Sequence, residues 1–180
     1  MAGTRVGADG LDMRYRLDVV APSVVEVVTN AGGWLFDRVM AGWDVTVLVA
    51  EHPDDRPLQI LGALTLDLEY ALASMDRRPR PQTLAVAADI FADDSRVRQW
   101  VLQALDHGLT EVTLWGETWP AELDDSGDSV KHRLSAAARA FKAQALAAAA
   151  APDASVGFTE TFRSGMMACP LVAVNLVPAS

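Results

Sequence analysis

The chain has 180 residues, 51% of them hydrophobic and 22% charged, the size and balance of one folded domain of ~100–200 residues. That composition excludes a disordered chain, a collagen-like repeat and a disulfide scaffold. With 24 acidic against 15 basic side chains the formal net charge is -9, which repels polyphosphate, so nucleic acid is not an expected partner.

The single cysteine, Cys169, lies in an apolar stretch and reads as a buried, inert thiol with no intrachain disulfide to form. No apolar run approaches the ~18 residues of a membrane span, and residues 1–10 lack the apolar core of a signal peptide. The expectation is a flexible segment over 1–10, then a single cytoplasmic domain over 11–180 without membrane contact. Lysine occurs only at Lys131 and Lys142 while arginine and alanine abound, a bias expected of a bacterial genome rich in G and C.

Met13, Tyr15, Leu17 and Val19 alternate with Arg14, Arg16 and Asp18, a period of two that predicts a half-buried strand over 12–20. Ser23 and Glu26 form a capping box for a helix reaching about residue 41. Gly32 and Gly33 interrupt its middle, where glycine costs about 1 kcal/mol relative to alanine. A close helix-to-sheet crossing accounts for them better than a phosphate loop, because the spacing matches neither nucleotide fingerprint.

Residues 44–50 are short, apolar and β-branched, as in a strand covered on both faces. A loop over 51–57 follows, then a strand at 58–62 and a helix at 65–75. Residues 76–82, with three arginines and two prolines, form an exposed connection, and 83–88 a second central strand. Asp93 or Asp94 caps a helix carrying Val97, Trp100, Val101, Ala104 and Leu105 on one stripe and ending at Gly108. Residues 109–115 alternate as a strand nearer an edge. A polar stretch over 117–128 leads to a last helix at about 129–150, and strands at 156–163 and 171–177 close the chain as a partly antiparallel hairpin. This alternation predicts an α/β fold: one layered domain with a largely parallel central sheet flanked by helices and a C-terminal antiparallel hairpin.

In such sheets ligands bind beyond the carboxyl ends of the strands. The acids expected there include Glu51, Asp89 and Glu117, and oxygen-rich clusters of this kind suit Mg²⁺ or Mn²⁺. Asp93, Asp94, Asp54 and Asp55 have simpler roles as helix cap and turn residues. His52, beside Glu51, is the candidate general base, whereas His107 at a helix end reads as structural. Trp115 and Trp119 flank Gly116 and Glu117 and could wall a ligand pocket or a subunit contact. Lys131, Ser135, Arg139 and Lys142 would fall within about 80° of arc on the last helix, a basic stripe able to hold a small anionic ligand or to pair with a second copy. No serine-elbow or zinc-type motif is present.

Two functions remain open. The first is a binding or regulatory module, expected as a homodimer, recognising a small ligand or protein through Trp115, Glu117, Trp119, Lys131 and Arg139, with no cofactor. The alternative is a metal-dependent hydrolase or phosphotransferase with Glu51, Asp89 and Glu117 as Mg²⁺ or Mn²⁺ ligands and His52 as base.

Overall fold

A computed structural model describes residues 14–51, 54–123 and 127–164. In chain order its elements are β1 (Arg16–Ser23), α1 (Val24–Met40), β2 (Asp44–Glu51), α2 (Arg56–Ile60), β3 (Leu64–Asp67), α3 (Leu68–Ala73), a 3-10 turn (Met75–Arg77), β4 (Thr83–Ala87), α4 (Ala88–Asp93), α5 (Ser95–His107), β5 (Glu111–Trp115), β6 (Asp128–Arg133), α6 (Ala136–Ala148) and β7 (Thr159–Ser164). The seven strands form one sheet in the order β3-β2-β1-β4-β5-β7-β6. Strands β1 to β5 are parallel, and β7 runs antiparallel to both β5 and β6. The predicted α/β class, with its largely parallel sheet and antiparallel end, is therefore what the chain adopts.

β1 is an interior strand, between β2 and β4. Leu17, Val19, Val20 and Ala21 are fully buried, so the alternation read as a half-buried strand marks one covered on both faces. Asp18, only 2% exposed, is tolerated there because the Arg78 guanidinium reaches its Oδ2 at 3.0 Å. β5 is likewise interior rather than near an edge, since β7 covers its outer side. The helix stops and starts follow local rules: Ser23 Oγ accepts from Glu26 N at 3.3 Å, Asp94 caps α5, and Gly108 ends it at φ +66°, a conformation that favours glycine.

Three expectations are corrected. Between 56 and 73 the order is helix, strand, helix, because Pro57 sits in the first turn of α2, where its missing N–H costs nothing, and Leu64 to Asp67 then pair with β2. The predicted helix over 129–150 divides into β6 and α6. Residues 128–133 pair with β7 along their whole length, and Ser135 caps the helix that follows through a 3.0 Å bond from Ala138 N. Strand β7 thus finds its antiparallel partners in β5 and β6; the predicted strand at 171–177, like Cys169, lies outside the described residues. Finally, Gly33 permits a close approach to Leu134 ahead of α6, since an added Cβ would sit 2.5 Å from a Leu134 methyl. The Gly33 N–H itself reaches the sheet, at Glu160 of β7.

The glycine pair of α1 also lies beside a buried ion pair. Lys142 of α6 and Glu160 of β7 are bonded at 2.7 Å with side chains 4% and 3% exposed. Glu160 further accepts from Gly33 N at 3.0 Å and Trp34 N at 2.7 Å, and the Lys142 ammonium donates to Thr29 O at 2.6 Å. Both charges are thereby hydrogen-bonded, the condition under which a buried pair is tolerated.

Candidate functional site at the β1–β4 switch point

The connections leaving β1 and β4, neighbours in the sheet, carry the chain to α1 and α4. β2 and β3 continue the sheet on the β1 side and β5 on the β4 side, so the strand order reverses between β1 and β4 and leaves a crevice. The paired register of β1 and β4 ends at Val20↔Val86, and the chain continues to Ser23 at the end of β1 and to Asp89 in the first turn of α4. Glu26, in the first turn of α1, completes the arrangement: its carboxyl is raised above the ordinary glutamate value of 4.5, first by burial and then by the facing charge of Asp89.

Trp115, 4% exposed, closes the side toward β5. Its indole stands near enough to favour the Glu26 carboxylate, yet the Nε1 atom lacks a hydrogen bond of good geometry among the described residues. Small residues make room for it. Gly116 adopts φ +136°, and a Cβ there would meet the Ala88 Cβ at 2.8 Å, so β5 presses directly onto the start of α4. Beside the crevice, toward β2, a cavity of about 360 Å³ is lined by Ser23, Val24, Glu51, Asp54, Pro57 and Ala148.

The predicted site residues are only partly assembled. Glu51, Asp89 and Glu117 follow β2, β4 and β5 at the same sheet edge, as the parallel arrangement requires. Glu51 pairs with Ser23 on β1, two strands from Asp89, and stands three strand spacings from Glu117, roughly 14 Å at ~4.8 Å per strand. Among the described residues no three His, Cys, Asp or Glu side chains are grouped so as to hold a metal ion. His52 lies outside the described residues. Trp115 is buried and belongs to the crevice rather than to an exposed aromatic pair, and Trp119 carries the Arg163 guanidinium 4.6 Å over its ring.

The basic stripe is not formed. Lys131 is on β6, the outermost strand, Ser135 is the α6 cap, Arg139 lies over the Phe158 ring at 4.6 Å, and Lys142 is buried against Glu160. Helical spacing cannot hold across a strand-to-helix junction, which is the physical reason for the correction. Glu26 was legible only as a capping residue. The signal that marks it out is its place three residues after a strand that turns out to be interior.

No protein-family model matches the chain, and no curated protein matches it. Solved structures share its fold. It resembles the deacetylase–teicoplanin complex of teicoplanin biosynthesis, with TM-score 0.64 and 14% identity over 86% of this chain and 99% of that one. A deacetylase of an antimicrobial pseudoaglycone aligns with TM-score 0.59 and 18% identity over 84% of this chain and 97% of that one. A 4-carboxy-2-hydroxymuconate hydratase from Pseudomonas putida aligns with TM-score 0.53 and 14% identity over 90% and 99%. At such identities the likeness shows the fold. By name these fold neighbours are deacetylases and a hydratase, which speaks against the expected binding or regulatory module and favours the alternative of a metal-dependent hydrolase or phosphotransferase.

Proposed function

We propose that the chain is a hydrolase that removes an acyl group from an amine, working at the β1–β4 crevice with Glu26 as the proton-transferring base. The juxtaposition of Glu26 and Asp89 at the strand-order reversal carries this reading, and the deacetylases among the fold neighbours support the substrate class. Glu26 takes a proton from water as the water oxygen bonds to the amide carbonyl carbon, then returns it to the nitrogen as the C–N bond breaks. A carboxyl whose pKa is raised toward the working pH suits both halves of that exchange.

The described residues at the crevice supply two carboxylates, Glu26 and Asp89, with Glu51 and Asp54 in the adjoining cavity, and no three His, Cys, Asp or Glu side chains are grouped among the described residues so as to hold a metal ion. No step of the proposal passes through a metal ion.

The test is amine release from a panel of N-acetylated amino sugars and N-acyl amino acids by the intact chain, followed with an amine-reactive dye. Turnover is expected on at least one member, and Glu26→Gln is expected to lower kcat by about 100-fold or more, the usual contribution of a positioned base. Full activity in Glu26→Gln, or no amine released from any member, overturns the proposal.

A further inference from the structure

The sheet ends in two edge strands, β3 on one side and β6 on the other, and they differ in what they offer. β3 has four residues, Leu64–Asp67, a length that gives another strand little to pair with. β6 runs over Asp128–Arg133, exposed throughout except at the half-buried His132, with no proline or glycine and an unbroken register to β7. Because that pairing is antiparallel, alternate residues of β6 turn their N–H and C=O groups toward β7 and away from it. Leu134 N donates to Phe158 O at 2.9 Å, which places His132, Val130 and Asp128 in the inward set and Arg133, Lys131 and Ser129 in the outward one. The outward main-chain groups have no partner among the described residues.

The residues along this edge complement themselves. In a two-fold antiparallel pair the axis stands perpendicular to the sheet, so the faces of the two copies coincide and each residue meets one an even number of places away. Centred on Val130, the pairing sets Val130 against itself, Ser129 against Lys131 and Asp128 against His132. Ser129 and Lys131, both outward, then exchange N–H···O=C bonds, and symmetry repeats the exchange. Val130 forms a non-hydrogen-bonded pair, in which Cα atoms stand about 4.5 Å apart and side chains are closest. Val130 is 45% exposed in the single chain and lies opposite Phe162 in the register with β7, whose ring is 4.8 Å from that of Trp34, so the contact extends the core across the axis. The Asp128 carboxylate meets an imidazole held by Asp37 through Nε2, which leaves the other ring nitrogen to face it. Moving the centre to Lys131 opposes two ammonium groups, which is destabilising, and moving it to Ser129 sets Asp128 against Val130. Charge and apolar pattern therefore select one register.

We propose that β6 is a docking edge for a second copy of this chain, the two β6 strands pairing antiparallel about Val130 so that two seven-stranded sheets become one continuous sheet. The interface is isologous and closed, since the pairing occupies the longer edge of each copy. It is separated from the β1–β4 crevice by β5 and β7 and stands whether or not the chain is a hydrolase.

Sedimentation velocity of the intact chain at micromolar to submillimolar concentration tests it, and a dimer is expected. Lys131→Pro removes an outward N–H and no bond to β7, and is expected to weaken association by about tenfold or more through the bonds lost on both copies. Should that variant not fold, cysteine cross-linking decides, with Cys169→Ser as the background. Val130→Cys is expected to give a disulfide-linked dimer under mild oxidation, because Cα atoms across a non-hydrogen-bonded pair fall within disulfide reach. Arg133→Cys is expected to give none, since the two copies of that residue lie roughly 20 Å apart at ~3.4 Å per residue. A monomer at every concentration, undiminished association in a folded Lys131→Pro chain, or a cross-link that fails at 130 or forms as readily at 133, overturns the assignment.

Discussion

Individual side chains set the chemistry, and Glu26 is the first of them. Burial and then Asp89 hold its carboxyl above 4.5, and a base works in its ionised form, so activity appears as pH rises through that raised pKa. Asp89→Asn removes the second cause. The acid limb of kcat/KM against pH is expected to move to lower pH, and a limb that stays put or moves up would contradict the proximity of the two carboxyls. Asp37 behaves in the opposite sense. Partial burial pushes its carboxyl up, but the Ser135 hydroxyl at 2.6 Å and the His132 ring at 2.8 Å outweigh it, and the net shift is below the ordinary value of 3.8. A carboxyl lowered by folding contributes stability that is present above its unfolded pKa and is lost as pH falls through the folded one. Asp37→Asn is therefore expected to cost about 1–2 kcal/mol at neutral pH, measured by urea unfolding, with the difference from the parent chain closing as pH falls through the lowered folded pKa.

Elements meet at a few close approaches, and the two glycines of α1 separate two effects that are usually mixed. Alanine in a helix is better than glycine by about 1 kcal/mol. At Gly32 an added Cβ finds its nearest neighbours at 3.4 Å, ordinary contact, so Gly32→Ala is expected to leave stability unchanged or raise it. At Gly33 the same atom meets two Leu134 methyls at 2.5 and 2.6 Å, and Leu134 is itself buried. Overpacking of that kind costs about 1–3 kcal/mol and outweighs the propensity gain, so Gly33→Ala is expected to lower the midpoint of thermal unfolding while Gly33→Ala with Leu134→Ala is less than additive. Scanning calorimetry of the parent chain, Gly32→Ala, Gly33→Ala, Leu134→Ala and the double variant distinguishes the two positions. If Gly33→Ala proves stabilising, the close packing of α1 on the entry to α6 is mistaken.

Across the whole molecule the Lys142–Glu160 pair ties α6, β7 and the middle of α1 into one unit. Removing one partner of a buried pair strands the other's charge, at about 3–5 kcal/mol. Lys142→Met is accordingly expected to destabilise by that amount, and adding Glu160→Gln to recover a substantial part, because the neutral amide no longer needs a counter-charge. Denaturant unfolding of the single and double variants reads this directly, and a double variant no more stable than the single one would place the cost in packing instead.

Local features were readable along the chain: the apolar runs that became β2 and β4, the caps at Ser23 and Asp94, the glycine stop at Gly108, and the alternation that makes an α/β sheet with a mixed-direction end. These follow from spacing and backbone chemistry within a few residues. Where local signals conflicted, as over 56–73, or were mutually compatible with two elements, as over 128–150, only pairing with a distant strand settled the outcome. The candidate site was legible as an edge but not as a set of residues, since Glu26 and Asp89 become neighbours only when β4 docks beside β1. The Lys142–Glu160 pair and the Asp18–Arg78 pair are further cases: Gly33 and Glu160 stand 127 residues apart, and no spacing rule reaches that far. Tertiary structure decided these features because burial, not sequence proximity, turns a surface charge into one that must be partnered.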